Sequence, residues 1–218
     1  MNAGPKIGIY GATGRLGQLI ISTATAEEQP IHIIDRGLDL ANCDVIIDVT
    51  SPEGTAALLE AATQSPRTPA IVIGTTGELP TEAINKYAES AAVAVVSNFS
   101  IGVPLLLDLV QRAVQLLPEG WDIEVIEVHH NQKIDAPSGT AKRISRAIHG
   151  CDGPSVPSSV PVHSLRVGDT FGEHTVWLCG PGERIELKHV ATRREVFAIG
   201  ALRWARWLLS QPTGCLRP

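Results

Sequence analysis

The feature that most constrains the fold is the alternation of short apolar segments with longer helical segments in the N-terminal half of the chain. Five short segments are rich in β-branched residues, as strands are. They are KIGIY, IHIID, CDVIIDVT, AIVIGTT and VAVVSN. Helical patterns such as SPEGTAALLEAATQ lie between most of them. Strands that alternate with helices predict a parallel sheet with helices on both faces, which is an α/β fold.

A glycine-rich turn, GATGRLG, lies between the first strand and the first helix. Gly11, Gly14 and Gly17 follow a G-x-x-G-x-x-G spacing, which departs from the commoner dinucleotide fingerprint at Thr13. Glycines at such a turn let the backbone approach a pyrophosphate at the helix N-terminus. They also occur where a helix only packs closely on a strand, so both interpretations stay open. The first predicts an N-terminal Rossmann-type domain that binds a dinucleotide.

Other residues fit a dinucleotide site at the ends of the predicted strands. Asp35 ends the second strand, where an acidic side chain binds the ribose diol. Arg36 and Arg15 would lie against a 2′-phosphate, so either NADH or NADPH is expected, although Arg36 also fits a solvated charge. Loops after the fourth and fifth strands lie where open α/β sheets bind ligands, but they also fit ordinary turns. The residues themselves therefore predict cofactor contacts at the glycine-rich turn, at Asp35 and in the loops 73–77 and 97–100.

The pattern changes after Asn98. An amphipathic helix, VPLLLDLVQRAVQLL, is followed mainly by strands, with a GPGE hairpin turn between the last two. This pattern predicts a smaller α+β domain with a mixed open sheet, and then a C-terminal helix that returns to the first domain. The segment GCDGPSVPSSVP is predicted to be a surface loop. The predicted domains are 1–100, rejoined by 197–218, for the dinucleotide, and 101–196 for substrate binding and oligomerisation.

The segment EVHHNQKIDAPSGTAKR places two histidines, a lysine and a Pro-Ser-Gly-Thr turn within a few residues. Neighbouring strand residues point to opposite faces, so His129 and His130 line one cavity only if the strand ends there, as the polar residues after them predict. No further ligands stand at a suitable spacing, which disfavours a metal site. A pair of core histidines with satisfied ring nitrogens stays the alternative to a functional pair.

Lys133 and the start of the next helix favour the functional interpretation. Pro137 to Thr140 are predicted to begin an amphipathic helix, and the first N–H groups of a helix bind anions. The N–H groups of Ser138, Gly139 and Thr140, with Lys133 and a histidine nearby, would bind a carboxylated substrate that receives a proton. Reduction of a carbon–nitrogen or conjugated double bond needs a hydride and a proton, which agrees with a dinucleotide domain.

Composition and charge narrow the expected partners. The formal net charge is -5 and no basic block occurs, so neither a nucleic acid nor an anionic membrane is an expected partner. The apolar runs are too short or too charged to cross a bilayer, and no signal peptide is recognisable, so we expect a cytoplasmic protein. The four cysteines form no C-x-x-C pair and are predicted to be free thiols. The expected ligand is a small molecule.

Successive blocks of the sequence resemble dihydrodipicolinate reductases over nearly the whole chain. The blocks are GATGRLG, DVIIDVTSPEGT, VIGTTG, SNFSIGV, EVHHNQKIDAPSGTA, HSLRVGDTFGEHTV and ERIELKHVATRREVFAIGALR. The resemblance implies an enzyme of diaminopimelate and lysine biosynthesis that reduces the dicarboxylate 4-hydroxy-tetrahydrodipicolinate to tetrahydrodipicolinate with NADH or NADPH. It also implies a homotetramer, although GCDGPSVPSSVP is shorter than the loop that helps members of the family associate. The segment RGLDLAN is also shorter than in typical members, and this difference bears on the alignment of Asp35 and Arg36.

The resemblance also implies roles for single residues. His129 resembles the family's general acid and base, and Lys133 resembles its proton donor and carboxylate partner. His130 resembles a substrate contact, and Gly139 and Thr140 match backbone that binds a substrate carboxylate. The residues at positions that resemble the family's cofactor contacts are Gly11, Ala12, Thr13, Gly14, Arg15, Leu16, Asp35, Arg36, Gly74, Thr75, Thr76, Ser97, Asn98, Phe99 and Ser100.

Two other functions stay open on the sequence alone. One is a different two-domain nicotinamide dehydrogenase for an aldehyde or a hydroxy acid, which would have a catalytic residue outside residues 127–143. The other is a nucleotide-binding protein without catalytic activity, because a fold does not fix a function. The intact set of His129, His130 and Lys133 argues against the second.

Overall fold

A computed structural model describes residues 4–40 and 42–216 of the chain. The chain divides into two compact units. The first runs to Phe99 and resumes at Glu195, and the second comprises Ser100–Arg194. The sequence analysis places these boundaries after residues 100 and 196. The outer ends of the predicted first domain, at residues 1–3 and 217–218, lie outside the described residues.

A six-stranded sheet forms the centre of the first unit. Its strands are β1 (Ile7–Tyr10), β2 (Ile31–Ile34), β3 (Val45–Asp48), β4 (Ala70–Ile73), β5 (Ala92–Val95) and β10 (Gly214–Leu216). All pairs are parallel, in the order β10-β5-β4-β3-β1-β2. The order reverses direction between β1 and β3, and in open α/β sheets ligands bind at such a point.

Helices cover both faces of this sheet, which explains why its central strands are almost continuously apolar. The helices are α1 (Arg15–Ala26), α2 (Pro52–Gln64), α3 (Thr81–Ala88) and α6 (Glu195–Leu208). Val45 and Ile47 of β3 belong to the core that contains residues of α1 and α6. Ile46, between them, belongs to the core that contains residues of α2 and α3. Period-two alternation along β3 therefore supplies both cores.

The second unit contains a four-stranded mixed sheet. Its strands are β6 (Asp122–His129), β7 (Val162–Arg166), β8 (Glu173–Gly180) and β9 (Glu183–Val190), and its helices are α4 (Gly102–Leu116) and α5 (Gly139–His149). The strand order is β7-β6-β8-β9, with β6 and β7 parallel and the other pairs antiparallel. The hairpin between β8 and β9 turns at Gly182, whose φ of +81° favours glycine.

The two faces of the mixed sheet differ. On the inner face, Ile123 and Val125 of β6 and Val176 and Leu178 of β8 pack with apolar residues of α4 and α5. Further along the same face of β6 lie Glu127 and His129. The apolar core thus gives way to polar residues at the carboxyl end of β6.

The structure confirms the predicted fold class: a parallel sheet with helices, a smaller mixed sheet, and a final helix that belongs to the first unit. It adds β10, which the sequence analysis does not predict. The prediction of a surface loop at residues 150–161 is wrong in part, because Ser155 and Val160 are buried and the Ser155 hydroxyl donates to the carbonyl of Pro118 at 2.5 Å. Among the helices that the structure describes, none is both long and apolar enough to span a bilayer.

Candidate active site

The glycine-rich turn of the first unit is a tight connection between β1 and α1. Gly11 has a φ of +97°, and a Cβ built on it would press on the backbone of Val49. A Cβ on Gly17 would overlap the carbonyl oxygen of Gly11. Both positions therefore require glycine. This finding supports close packing of α1 on the turn, and it leaves the dinucleotide interpretation open.

The start of α1 fits a phosphate group. Its N-cap, Gly14, has no side chain that could accept the first N–H groups of the helix, and no acidic residue lies in the first turn. These N–H groups have no partner inside the helix, and the helix dipole places partial positive charge there. N–H donors, close approach and the absence of opposing charge are what a pyrophosphate requires.

A buried carboxyl group lies at the end of β3, paired in register with the end of β1. Asp48 is fully buried and accepts hydrogen bonds from the hydroxyl groups of Thr50 and Thr55, each at 2.5 Å. Burial raises the pKa of Asp48, and these hydroxyl groups offset part of the rise. The N–H of Thr50 lies 3.1 Å from both Asp48 and the Thr75 hydroxyl. Asp48 therefore links the loops that follow β3 and β4.

The loops after β4 and β5 carry other predicted cofactor contacts. A Cβ on Gly74 would overlap the ring of Phe99, which is buried in the core of the first unit. Thr75 is buried and Thr76 is exposed. A hydrogen bond from the N–H of Val96 to the carbonyl of Ile73 joins the ends of β5 and β4. Residues 97–98 come directly after this hydrogen bond. The phenyl ring of Phe99 thus acts in packing, and the exposed threonine is available to a ligand.

Asp35 lies directly after β2 and is exposed, as are Arg36 and Arg15. One carboxylate oxygen of Asp35 accepts the N–H of Gly37 at 2.8 Å. Ser100 lies instead in the second unit, where its buried hydroxyl group is 2.9 Å from Nε2 of His189. The roles of these residues as cofactor contacts stay predictions.

A second fully buried carboxyl group, that of Glu127, lies near the end of β6. It accepts hydrogen bonds from both terminal nitrogens of Arg166, at 3.0 and 2.8 Å, and from the N–H of Ser138 at 3.3 Å. Nδ1 of His129 also bonds to it. Burial alone would raise the pKa of Glu127, but hydrogen bonds from Arg166 and Ser164 outweigh burial and lower this pKa to about 2. Glu127 is therefore an ionised carboxylate at neutral pH.

Arg166 connects this carboxylate to the loop that carries Lys133. Its guanidinium group donates to the backbone carbonyl of Lys133 at 3.3 Å and to that of Asp135 at 2.6 Å. The Lys133 ammonium group lies 2.7 Å from a carboxylate oxygen of Asp135. One guanidinium group thus holds the end of β6 and the following loop together.

Three histidine rings line this part of the second unit. The rings of His129 and His174 meet edge to face with centroids 5.2 Å apart, and His189 lies 6.5 Å from His174. Nδ1 of His174 and of His189 is buried without a hydrogen-bond partner among the described residues. Burial lowers the pKa of all three rings, that of His174 to about 3. Within residues 4–40 and 42–216, no group of three or more potential ligand side chains could hold a metal ion.

The helix that the sequence predicts after Lys133 is α5. Its N-cap, Ser138, is buried and accepts the N–H of Ala141 at 3.2 Å, and its hydroxyl group also lies 3.2 Å from Nε2 of His174. α5 begins at Gly139, and the N–H groups of its first turn have no partner inside the helix. His130, half-buried, follows β6 directly. Of the predicted residues of this segment, His129 and Ser138 therefore contact the buried carboxylate directly, and the loop of Lys133 is joined to it through Arg166.

The sequence analysis does not single out Glu127, Arg166 or His174. Glu127 stands two residues before His129, so strand alternation places both side chains on one face, and this was an available signal. Arg166 is 39 residues from Glu127, and His174 is 36 residues from Ser138. No local pattern reveals contacts at that separation.

Two family models match most of the chain. The model described as "Dihydrodipicolinate reductase, N-terminus" matches residues 31–99, and that described as "Dihydrodipicolinate reductase, C-terminus" matches residues 102–217. The chain belongs to the dihydrodipicolinate reductase family. The second match contains the whole set of polar residues around Glu127, and the first contains Asp48 and its hydroxyl partners. The family resemblance seen in the sequence is thus confirmed.

Curated relatives and a solved structure extend this finding. The 4-hydroxy-tetrahydrodipicolinate reductase of Anaeromyxobacter dehalogenans is 38% identical, over 98% of this chain and 87% of its own. That of Xanthomonas euvesicatoria is 40% identical, over 97% of this chain and 95% of its own. The dipicolinate-bound dihydrodipicolinate reductase from Paenisporosarcina sp. TG-14 shares the fold, with a TM-score of 0.72, 22% identity and coverage of 98% of this chain and 97% of that chain.

The low pKa of His174 predicts that acid destabilises this dihydrodipicolinate reductase family member. Between pH values near 6.5 and 3, an unfolded chain binds a proton at this residue that the folded protein does not. The free energy of unfolding therefore falls as the pH falls through this window. In His174→Asn, we expect a shallower dependence of the free energy of unfolding on pH, measured by urea unfolding between about pH 7 and about pH 5.

His149→Asn is the matched control, because His149 is exposed at the end of α5 and lies outside the group of rings around His174. This control should keep the pH dependence of the original protein. Equal slopes for the His174 variant and the unchanged protein would contradict the prediction.

Proposed function

We propose that this protein reduces 4-hydroxy-tetrahydrodipicolinate to tetrahydrodipicolinate with NADH or NADPH, a step of diaminopimelate and lysine biosynthesis. The observation that carries the proposal is the buried Glu127, around which a histidine, a lysine-bearing loop and a helix N-terminus meet. The curated relatives, whose names specify this reaction, support the choice of substrate. The net reaction adds a hydride and a proton and releases the 4-hydroxyl group as water.

The first unit supports the cofactor part of the proposal. A bound nicotinamide dinucleotide supplies the hydride. The first turn of α1 would hold the pyrophosphate, and Asp35 would accept hydrogen bonds from the ribose diol. Arg15 and Arg36 carry the positive charge that a 2′-phosphate needs, so both NADH and NADPH are proposed cofactors. Thr76, exposed after β4, is a proposed contact on the nicotinamide side.

The second unit supports a dicarboxylate substrate. The N–H groups of Gly139 and Thr140 lie in the first turn of α5, where the helix dipole favours an anion. The Lys133 ammonium group would exchange its Asp135 partner for a substrate carboxylate. His130 is the proposed further substrate contact. Positive charge from a lysine and a helix N-terminus together matches two carboxylates, whereas a neutral substrate would gain little from it.

Proton transfer is assigned to His129 and Lys133. His129 is the proposed general acid and base, and its ring stays mostly neutral at neutral pH because burial lowers its pKa. Nε2 of His129 lies beside Gly172, where a built Cβ would stand 3.2 Å away, so the absence of a side chain keeps this nitrogen accessible. Lys133 is the proposed proton donor and also binds a carboxylate. Hydrogen bonds from Arg166 fix the backbone of its loop.

The first test is oxidation of NADH and NADPH in a coupled assay that generates the unstable substrate in place. We expect absorbance loss with at least one cofactor and inhibition by 2,6-pyridinedicarboxylate, because this planar diacid presents two carboxylates as the substrate does. Parallel titrations of the two nucleotides measure the preference. Failure to oxidise either cofactor would favour a nucleotide-binding protein without this activity.

The second test is the pair of variants His129→Ala and Lys133→Ala. Each should lower kcat by at least ~10²-fold, since general acid–base catalysis commonly contributes that much. Nucleotide binding, measured by fluorescence quenching, should persist, because both residues lie in the second unit. His149→Ala and Lys142→Ala, at exposed positions of α5, are the controls and should keep normal rates. A near-normal kcat in either test variant would remove its assigned role.

We also propose that the protein forms a homo-oligomer, with the tetramer of the family resemblance as the expected form. The helices of the second unit pack on the inner face of its sheet. The opposite face presents apolar side chains from three adjacent strands, of which Leu165 is 47% exposed and Val128 and Trp177 are half-buried. Val128 and Leu165 lie opposite each other in register, and exposed apolar side chains on adjacent strands of one sheet face support an interaction surface. A cytoplasmic location stays a prediction from the sequence.

We therefore expect an assembly several times heavier than the 23.2 kDa chain in sedimentation equilibrium. Leu165→Glu should shift the mass towards the monomer, because a charge at the centre of an apolar interface has to be desolvated. Leu116→Glu, at an exposed position of α4, is the control and should leave the mass unchanged. A monomeric unchanged protein at micromolar concentration would contradict the proposal.

A further inference from the structure

We propose that Glu127 and Arg166 are positioning residues for the reaction: they hold the His129 ring with its proton on Nδ1 and so leave Nε2 to exchange protons with the substrate. This inference deepens the proposed function and rests on it for the role of His129. The position of the ring proton itself follows from contacts in the second unit alone.

The first step is a count of the donors around Glu127. Its two carboxylate oxygens accept two N–H groups of Arg166 and the N–H of Ser138. None of these donors can reverse its role, because guanidinium and backbone N–H groups only donate. The carboxylate, in turn, only accepts. A neutral His129 ring can therefore bond to Glu127 through Nδ1 only if Nδ1 carries the proton.

The second step is the choice of arginine as the partner. A buried carboxylate without a cation would lose the solvation of its charge. The planar guanidinium fork of Arg166 meets both oxygens at once, at 3.0 and 2.8 Å, and remains charged. Glu127 thus stays an ionised carboxylate and accepts a hydrogen bond from the ring of His129.

The third step is that the sheet fixes this arrangement. Glu127 and His129 are two residues apart on β6 and point to the same face. In the parallel register of β6 and β7, Ser164 lies opposite Glu127 and Arg166 lies opposite His129. The ring orientation is therefore set by strand pairing and does not depend on a mobile loop. Nε2 is then the ring nitrogen that faces away from the carboxylate.

The test is Glu127→Gln, which preserves the shape of the side chain but adds an N–H₂ group. The guanidinium and backbone N–H neighbours of the carboxylate only donate, and the Ser164 hydroxyl group, which can also accept, is removed by making the substitution in a Ser164→Ala background. The new amide nitrogen then has a favourable place only next to Nδ1, and only if the ring proton moves to Nε2. We expect ¹⁵N NMR of the imidazole to report an Nδ1–H tautomer of His129 in the unchanged protein and an Nε2–H tautomer in the variant. We also expect kcat to fall by at least ~10²-fold with unchanged nucleotide affinity.

Glu27→Gln is the control, because Glu27 also pairs a carboxylate with an arginine, Arg206, but at an exposed position in the first unit. It should alter neither the His129 tautomer nor kcat. Glu127→Asp keeps a carboxylate, and we expect it to keep the Nδ1–H tautomer and part of the rate.

Two outcomes overturn the inference. One is an Nε2–H tautomer of His129 in the unchanged protein, a measurement that does not depend on the folding of any variant. The other is a folded Glu127→Gln protein with the original tautomer and rate. The predicted tautomers in a protein that does not reduce the proposed substrate would support the positioning of His129 and reject the proposed function instead.

Discussion

An ionised carboxylate is stable inside a protein only where donors surround it, and in the second unit this requirement applies to Glu127. Its donors come from β7, from the start of α5 and from the ring of His129. Removing one partner of a buried ion pair costs about 3–5 kcal/mol, because the other charge is left without compensation. Strand pairing, the helix start and the following loop are therefore coupled through one charged group. The residues proposed to act on substrate are all attached to these elements.

The first unit contains a buried carboxyl group in the corresponding place, at the end of a central strand, but its partners are chemically different. Asp48 is surrounded by threonine hydroxyl groups and not by a guanidinium group. Burial accordingly raises the pKa of Asp48, whereas Arg166 and Ser164 lower that of Glu127. Hydroxyl partners can either donate or accept, so they join two loops without adding a charge beside a site proposed for phosphates. Arginine, in contrast, fixes both a charge and a direction.

The parts of the fold and of the candidate site that the sequence predicts are those whose contacting residues lie close together along the chain. The strands and helices of the first unit follow from local periodicity, and the sequence segment around His129, Lys133 and Ser138 is short enough to suggest a common site. β10 was missed because three residues show no period. Arg166 and His174 were missed because their contacts depend on strand register, which local patterns do not encode.

Strand register is also what allows one sheet face to serve both stability and chemistry. Along the inner face of β6, Ile123 and Val125 lie in the apolar core, and Glu127 and His129 follow them at the same two-residue period. A slip of β7 by one residue would place Leu165 opposite His129 and turn Arg166 to the outer face. Such a slip would expose the apolar residue Val162 of β7 and leave the Glu127 charge uncompensated. The core at one end of the sheet therefore selects the register that assembles the polar residues at the other end.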